Sequence, residues 1–189
     1  DDRCQIETLG IRYPAHMADF LRLKYLNLHG GLYADTDCIA VRPYPKSWFT
    51  SGKMYWGYED WSHVAICNNV LISPINNAFL NKIYNEFITR FDPKKAVPGN
   101  NWAYYGVTMP LEVYKSKNAR DLRKYIQLCD HISFNYYWMK YEEIEKIFFL
   151  DDSEKYLSLK NNYTLHLWEN RTRDLIKNFS TKYFKDNHS

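Results

Sequence analysis

Two aspartates one residue apart, Asp35 and Asp37 in the triplet Asp35-Thr36-Asp37, are the side chains best suited to chemistry in this chain. In an extended segment successive side chains alternate faces, so both carboxylates would point one way and Thr36 the other. Two carboxylates in one small volume repel each other unless a cation or a hydrogen-bond donor lies between them. Hard divalent ions such as Mn2+ or Mg2+ prefer oxygen ligands. A metal-bound diphosphate is the natural guest of such a pair, because a bound cation stabilises the negative charge that grows on a departing diphosphate. Alone, the triplet is a weak signal, and a solvated turn would also account for it.

The flanking residues say how the triplet is positioned. From Ala15 to His29 there is no Gly or Pro, and Leu, Ala and Met are frequent, which predicts a helix. Met17, Phe20, Leu21, Leu23, Tyr25, Leu26 and Leu28 run around most of its circumference, the pattern of a largely buried helix. Asp19 and Arg22 lie within it. Three residues apart, they share a face, and ions in an apolar setting must pair or meet a charged ligand. A structural ion pair and a ligand-binding pair are both open at this point. Gly30 and Gly31 supply a helix stop and a sharp re-entry, and Leu32, Tyr33 and Ala34 begin a strand, so the aspartates fall where that strand ends.

Further along, Val70 to Ser73 reads as a strand. Phe79, Leu80, Ile83, Tyr84, Phe87, Ile88 and Phe91 recur at helical spacing and mark a core stripe. Residues Lys94 to Asn101 read as a loop, Tyr141 to Phe149 as a helix, Tyr163 to Leu167 as a strand and Arg171 to Phe184 as a terminal helix. The chemically interesting residues thus gather at strand ends, where open α/β sheets bind ligands.

The pattern A-x-x-x-D-x-x-R-x-x-x-L-x-x-x-G-G-x-Y-x-D-x-D, from Ala15 through Asp37, resembles the glycosyltransferases whose sugar-binding region carries a DxD motif. The segment NNVLISPINNAFLNKIYNEFITRF, from Asn68 to Phe91, is similar to the strand-then-helix unit that follows the motif in that family. YTLHLWENRTR, from Tyr163 to Arg173, is similar to its closing His-x-Trp segment. With YWMKYEEIEKIF, from Tyr137 to Phe148, the likeness is greatest to the family 32 type, the α-1,4-galactosyltransferase and α-1,4-N-acetylglucosaminyltransferase branch, and it covers nearly the whole chain.

That resemblance implies a GT-A fold, a Rossmann-like mixed α/β sheet flanked by helices. It implies a UDP-sugar donor, Mn2+ (or Mg2+) as cofactor, a glycan or glycolipid acceptor and transfer of a hexose or N-acetylhexosamine with retention. In this picture Asp35, Asp37 and His166 form the metal set, with Asp37 a direct ligand, Asp35 contacting ribose, sugar or water held by the metal and His166 a further ligand. Asp19 and Arg22 line the donor sugar and diphosphate, Tyr33 lies near the nucleotide, and Trp168 closes over the diphosphate with His166. Asn68 and Asn69, at the start of the Val70 strand, carry neutral amides that can bind sugar hydroxyls without competing for the metal, and Asn69 joins Asp19 and Arg22 in the expected catalytic group. Asp60 reads as a solvated loop residue. Retaining transfer requires no strong protein base, since the departing phosphate oxygen can take the acceptor's proton. Trp48, Trp56, Trp61, Trp102 and Trp138 are candidates for a sugar-stacking acceptor cleft, with core packing as the alternative.

Two departures stand out. Relatives of the galactosyltransferase type usually place a Gly-Pro-x-x-x-Thr segment where Tyr105 to Pro110 reads YGVTMP, so Val107 replaces Pro. The chain starts without Met, and fourteen residues precede the motif helix, which raises the expectation that an N-terminal part with the base-binding wall is missing. A non-catalytic carbohydrate-binding pseudo-enzyme and a toxin-like glucosyltransferase acting on a protein therefore remain as alternatives.

Composition fits one domain over residues 1–189. The chain is 46% hydrophobic with 7 Gly and 7 Pro, enough to bury a real core without an evident linker. No apolar run approaches the roughly 20 residues of a membrane span. A net charge of +3 is too mild to argue for nucleic acid as a partner, though it suits an anionic donor. Cys4, Cys38, Cys67 and Cys129 form no C-x-x-C pair and read as buried free thiols. Asn162, Asn170, Asn178 and Asn187 each begin an N-x-S/T sequon. The expected location is the Golgi lumen in a eukaryote, otherwise the bacterial cytoplasm.

Overall fold

Helix α1 (Asp2–Leu9) begins at Asp1, whose carboxylate caps it by accepting from the Arg3 N–H. Helix α2 (Pro14–His29) opens with proline in its first turn, where a missing N–H is harmless. It stops at Gly30, which has φ +65° and where a Cβ would lie 2.6 Å from the Ile75 backbone nitrogen, so only glycine makes this turn. These elements come from a computed structural model, which describes residues 1–97, 103–135 and 162–167. The expected helices over 141–149 and 171–184 lie outside the described residues, as do Trp102, Trp138 and Trp168.

From Gly30 the chain enters strand β1 (Gly31–Ala34), then β2 (Cys38–Ala40), a short helix α3 (Lys46–Thr50), β3 (Met54–Tyr58) and β4 (Ile66–Ser73). Helix α4 (Ala78–Arg90) starts at Asn77, whose side-chain oxygen accepts from the Phe79 and Leu80 N–H groups at 3.0 Å each. A π-helical turn (Tyr104–Thr108) runs into α5 (Met109–Lys115). A 3-10 segment (Lys117–Tyr125), strand β5 (Ile126–Cys129), the short α6 (Ile132–Asn135) and β6 (Thr164–His166) follow.

Among the described residues, four strands form one sheet in the order β1-β4-β3-β5. The pairs β1·β4 and β4·β3 are antiparallel and β3·β5 is parallel. Strands β2 and β6 make a separate antiparallel pair. The architecture is mixed α/β, a mixed sheet flanked by helices, compatible with the GT-A expectation.

One face of the sheet carries the main core. Phe20, Leu23 and Leu26 of α2 and Phe79, Leu80, Ile83 and Phe87 of α4 pack with Met54, Trp56 and Leu71 of the sheet. Fully burying a side chain of this size contributes about 1.5–3 kcal/mol. The other face is covered by a smaller cluster of Cys67, Val70 and Phe134 with Tyr44 and Trp48 beside it. Trp56 is core, its indole N–H donating to the Cys67 carbonyl, and Trp48 stacks on Tyr55 at 4.9 Å, so both serve packing.

Three expectations change here. Helix α2 is buried on one face only: Tyr25 and Leu28 are 45% and 51% exposed, because the sheet and α4 cover the face bearing Asp19, Phe20 and Leu23. The Tyr25 hydroxyl and the Lys24 ammonium instead reach Asp2 of α1. Of the four cysteines, all free, Cys4 is exposed rather than buried. Asn162, the first sequon residue, is 1% exposed and leaves no room for a glycan in this fold.

Candidate active site

The site lies on the rim where β1 ends and β4 begins. Strand β1 pairs Ala34 with Val70, and one step further the Asp35 N–H donates to the Asn69 carbonyl at 2.8 Å. The Cys38 N–H then closes back onto the Asp35 carbonyl at 3.1 Å, so Asp35-Thr36-Asp37 is a tight turn, not the extended segment expected. The turn gives the two carboxylates different partners. Asp35 Oδ1 accepts from the Tyr33 hydroxyl at 2.6 Å and from Arg22 Nη1 at 3.1 Å. Asp37 Oδ2 lies 3.4 Å from His166 Nε2. Strand β6 makes this second contact possible by pairing His166 with Cys38, and the Leu167 N–H donates to the Asp37 carbonyl at 2.9 Å.

Arg22 is the hub of the inner half. Its side chain is 6% exposed, and its guanidinium sits 3.4 Å from Asp19 Oδ1 and 3.1 Å from Asp35 Oδ1. It also donates to the Asn68 carbonyl and, through Nε, to the Ala18 carbonyl at 3.2 Å, while its Cζ lies 4.5 Å above the Tyr33 ring. Helix α2 positions it: residues 19 and 22 share the face turned to the sheet rim. Asp19 Oδ1 accepts a further hydrogen bond from Asn68 Nδ2 at 2.7 Å, and His16 Nδ1 stands 3.8 Å from Asp19 Oδ2.

Three carboxyl groups, Asp19, Asp35 and Asp37, gather at a half-closed rim around the Arg22 guanidinium, with the His166 imidazole beside Asp37. Burial pushes the Asp35 carboxyl above the usual range; the nearby Arg22 charge and the Tyr33 hydrogen bond pull it down, and Asp37 adds a smaller upward push. Burial, opposed by Arg22, also raises the Tyr33 phenol, so it stays protonated and donates to Asp35.

Asp37, Cys38 and His166 each offer one ligand atom, all within 4.8 Å of one another. The Cys38 thiol is pushed up to about 12 by burial and by the two aspartates, so it stays protonated, with Sγ near the Asn69 carbonyl and amide. One carboxylate and one imidazole accept Mn2+ and other divalent ions of similar hardness, and the thiol beside them would be a softer donor to an ion that displaces its proton. The donors present therefore fit a divalent cation.

The structure brings Asp19, Arg22, Tyr33 and Asp35 into one bonded cluster and sets Asp37 with His166 beside it. It does not bring Asn69 to them. That side chain is 1% exposed and its amide donates to the Phe134 carbonyl at 3.1 Å, on the opposite face, while Asn68 takes the place next to Asp19. Trp168 lies outside the described residues. Asp60 is buried, accepting from the Ser62 N–H at 2.7 Å, and serves its own loop.

Gly106 belongs to the site and sequence reasoning passed it over. A Cβ there would come within 2.2 Å of Asn68 Nδ2 and 2.5 Å of Asp19 Oδ1. The π-helical turn that carries it presses bare backbone against the Asp19 and Asn68 pair, and the Val107 replacement lies in that same turn, buried. The sequence signal is the glycine of YGVTMP, adjacent to the Val107 departure.

Residues 5–55 match the glycosyltransferase sugar-binding region containing DXD motif. Over 185 residues the chain is 23% identical to glucan organizing enzyme 1 of Cryptococcus neoformans var. grubii, an alignment covering 95% of this chain and 47% of that protein. The chain thus spans about half the length of the curated relative it matches. No solved structure matches. Together these findings support a DXD glycosyltransferase family and a glycosyltransferase-like function.

Proposed function

We propose that this rim is the donor site of a metal-dependent, retaining glycosyltransferase that moves a hexose or N-acetylhexosamine from a UDP-sugar to a glycan or glycolipid, on a Rossmann-like GT-A sheet. The observation that carries the reading is the joined pair of subsites: the Asp19, Arg22 and Asp35 cluster, and Asp37 with His166 next to it. Asp37 and His166 would hold the cation, which when bound supplies charge neutralisation for a diphosphate leaving group.

The chain's own residues do the rest. Arg22 fixes Asp19 and Asp35 at once, so neither carboxylate has to be ordered when the donor arrives. Asp19, held by Arg22 and Asn68, accepts hydrogen bonds from donor sugar hydroxyls. Tyr33 keeps Asp35 turned inward, leaving Asp37 to face the diphosphate side. The reading needs no protein base, because in retaining transfer the departing phosphate oxygen takes the acceptor proton on the same face. The name of the Cryptococcus relative speaks of glucan, which makes a glucan-type glycan the first acceptor to screen.

The test is thermal stabilisation by UDP-sugars with and without Mn2+. A ligand at about 100 times its dissociation constant adds roughly 2.7 kcal/mol. Asp37→Ala should abolish the Mn2+-dependent part of the shift, and Asp121→Ala, in the exposed 3-10 segment, should keep it. A shift that survives Asp37→Ala unchanged refutes the assignment.

A further inference from the structure

The β3–β4 loop and the end of β5 meet on the same rim as the donor site, because β3 and β5 run parallel and β4 starts where β3 stops. Strand β5 aligns Cys129 with Gly57, so Asp130 and His131 emerge next to Tyr58 and the loop after it. His63 rises from that loop to meet them. One ligand atom each from His63, Asp130 and His131 lie within 4.8 Å of one another.

The loop is built to hold His63 in place. Glu59 N–H donates to the Ala65 carbonyl at 3.0 Å, closing the loop's neck, and buried Asp60 accepts from both the N–H and the hydroxyl of Ser62. His63 itself has φ +56°, a left-handed conformation that is strained for a residue with a Cβ. Its ring stacks on Tyr58 with centroids 4.1 Å apart. On the other side, Asp130 Oδ1 lies 2.6 Å from His131 Nδ1 and also accepts the Ile132 N–H at 3.2 Å. Neither histidine has any part in the donor site.

The geometry points to a second divalent-cation site, ligated by His63, Asp130 and His131, that takes an imidazole-preferring ion such as Zn2+. Two imidazoles and one carboxylate make the three-ligand set on which zinc keeps a fourth, open position. By the ordering of divalent affinities such a set discriminates against Mg2+ and Mn2+. The group at Asp37, Cys38 and His166 follows the same ordering, so position and not ion preference separates the two sites. Its structural effect is a clamp that ties the β3–β4 loop to the end of β5. The clamp fixes Trp61, 78% exposed two residues before His63, on the rim beside the donor site. The inference stands independently of the proposed transferase activity.

The experiment is calorimetric titration of chelator-treated, untagged protein with Zn2+. Because Asp37, Cys38 and His166 also attract this ion, stoichiometry is the readout. His63→Ala and His131→Asn should each bind one equivalent fewer than the unaltered chain, whereas Asp37→Ala should retain the equivalent that those variants lose. His63 is exposed and His131 half-buried, and unchanged far-UV circular dichroism will confirm that the variants fold. Unchanged Zn2+ stoichiometry and affinity in both histidine variants overturns the site. Displacement of that equivalent by excess Mn2+ overturns its selectivity.

Discussion

Replacing Arg22 with leucine tests the organisation of the site most directly. The guanidinium is 6% exposed and serves Asp19, 5% exposed, and Asp35, 26% exposed. Removing one partner of a buried ion pair destabilises by about 3–5 kcal/mol, chiefly because the other charge stays buried without compensation. Asp35 keeps water on one side and its Tyr33 hydrogen bond, which places the expected loss at the lower end, about 3 kcal/mol. For a chain of this length that is a fall of roughly 6–12 °C in Tm. The assay is urea unfolding without added metal, for Arg22→Leu, Asp19→Asn and the double variant. Neutralising Asp19 removes the stranded charge, so the double variant should recover at least about 1 kcal/mol relative to the sum of the two single losses. An Arg22→Leu chain within about 1 kcal/mol of the parent, or strictly additive losses, would refute the view of Arg22 as a buried hub.

Two other outcomes follow from the same structure. Gly106→Ala drives a methyl group into Asn68 Nδ2 and Asp19 Oδ1, so it should destabilise by about 1–3 kcal/mol and weaken donor binding, measured by urea unfolding and by donor titration. Burial raises Cys67 well above the ordinary thiol range, and it is the main cause that pushes Cys38 and Cys129 each up to about 12. At pH 8 their thiolate fractions are negligible, so iodoacetamide should add one group to the native chain, at exposed Cys4, and four after unfolding, as read by mass spectrometry.

What could be read from sequence was local. The Pro14–His29 helix, the glycine stop and the Gly31–Ala34 strand are encoded within a few residues of one another, and the expected boundaries fall within one residue of the observed ones. Strand β4 extends four residues further upstream than expected, since Asn68 and Asn69 look polar but lie in a paired segment. Its partner register shifts between Trp56 and Tyr58, and this irregularity breaks the simple alternation that would tell which asparagine faces Asp19. Strands Met54–Tyr58 and Ile126–Cys129 are not legible locally, because their pairing joins residues far apart in the chain. The turn at Asp35 likewise depends on a backbone bond to Cys38 and not on residue types alone.

The pairing of Cys38 with His166 joins the first fifth of the chain to its last quarter. On a ribosome adding about 5–20 residues per second, Asp37 waits on the order of ten seconds for its imidazole partner to be synthesised. The closing of β2 on β6 at this position is therefore a late event in biogenesis. Nascent chains that stop short of residue 166 carry the whole Ala15 to Asp37 motif yet lack the imidazole that faces Asp37.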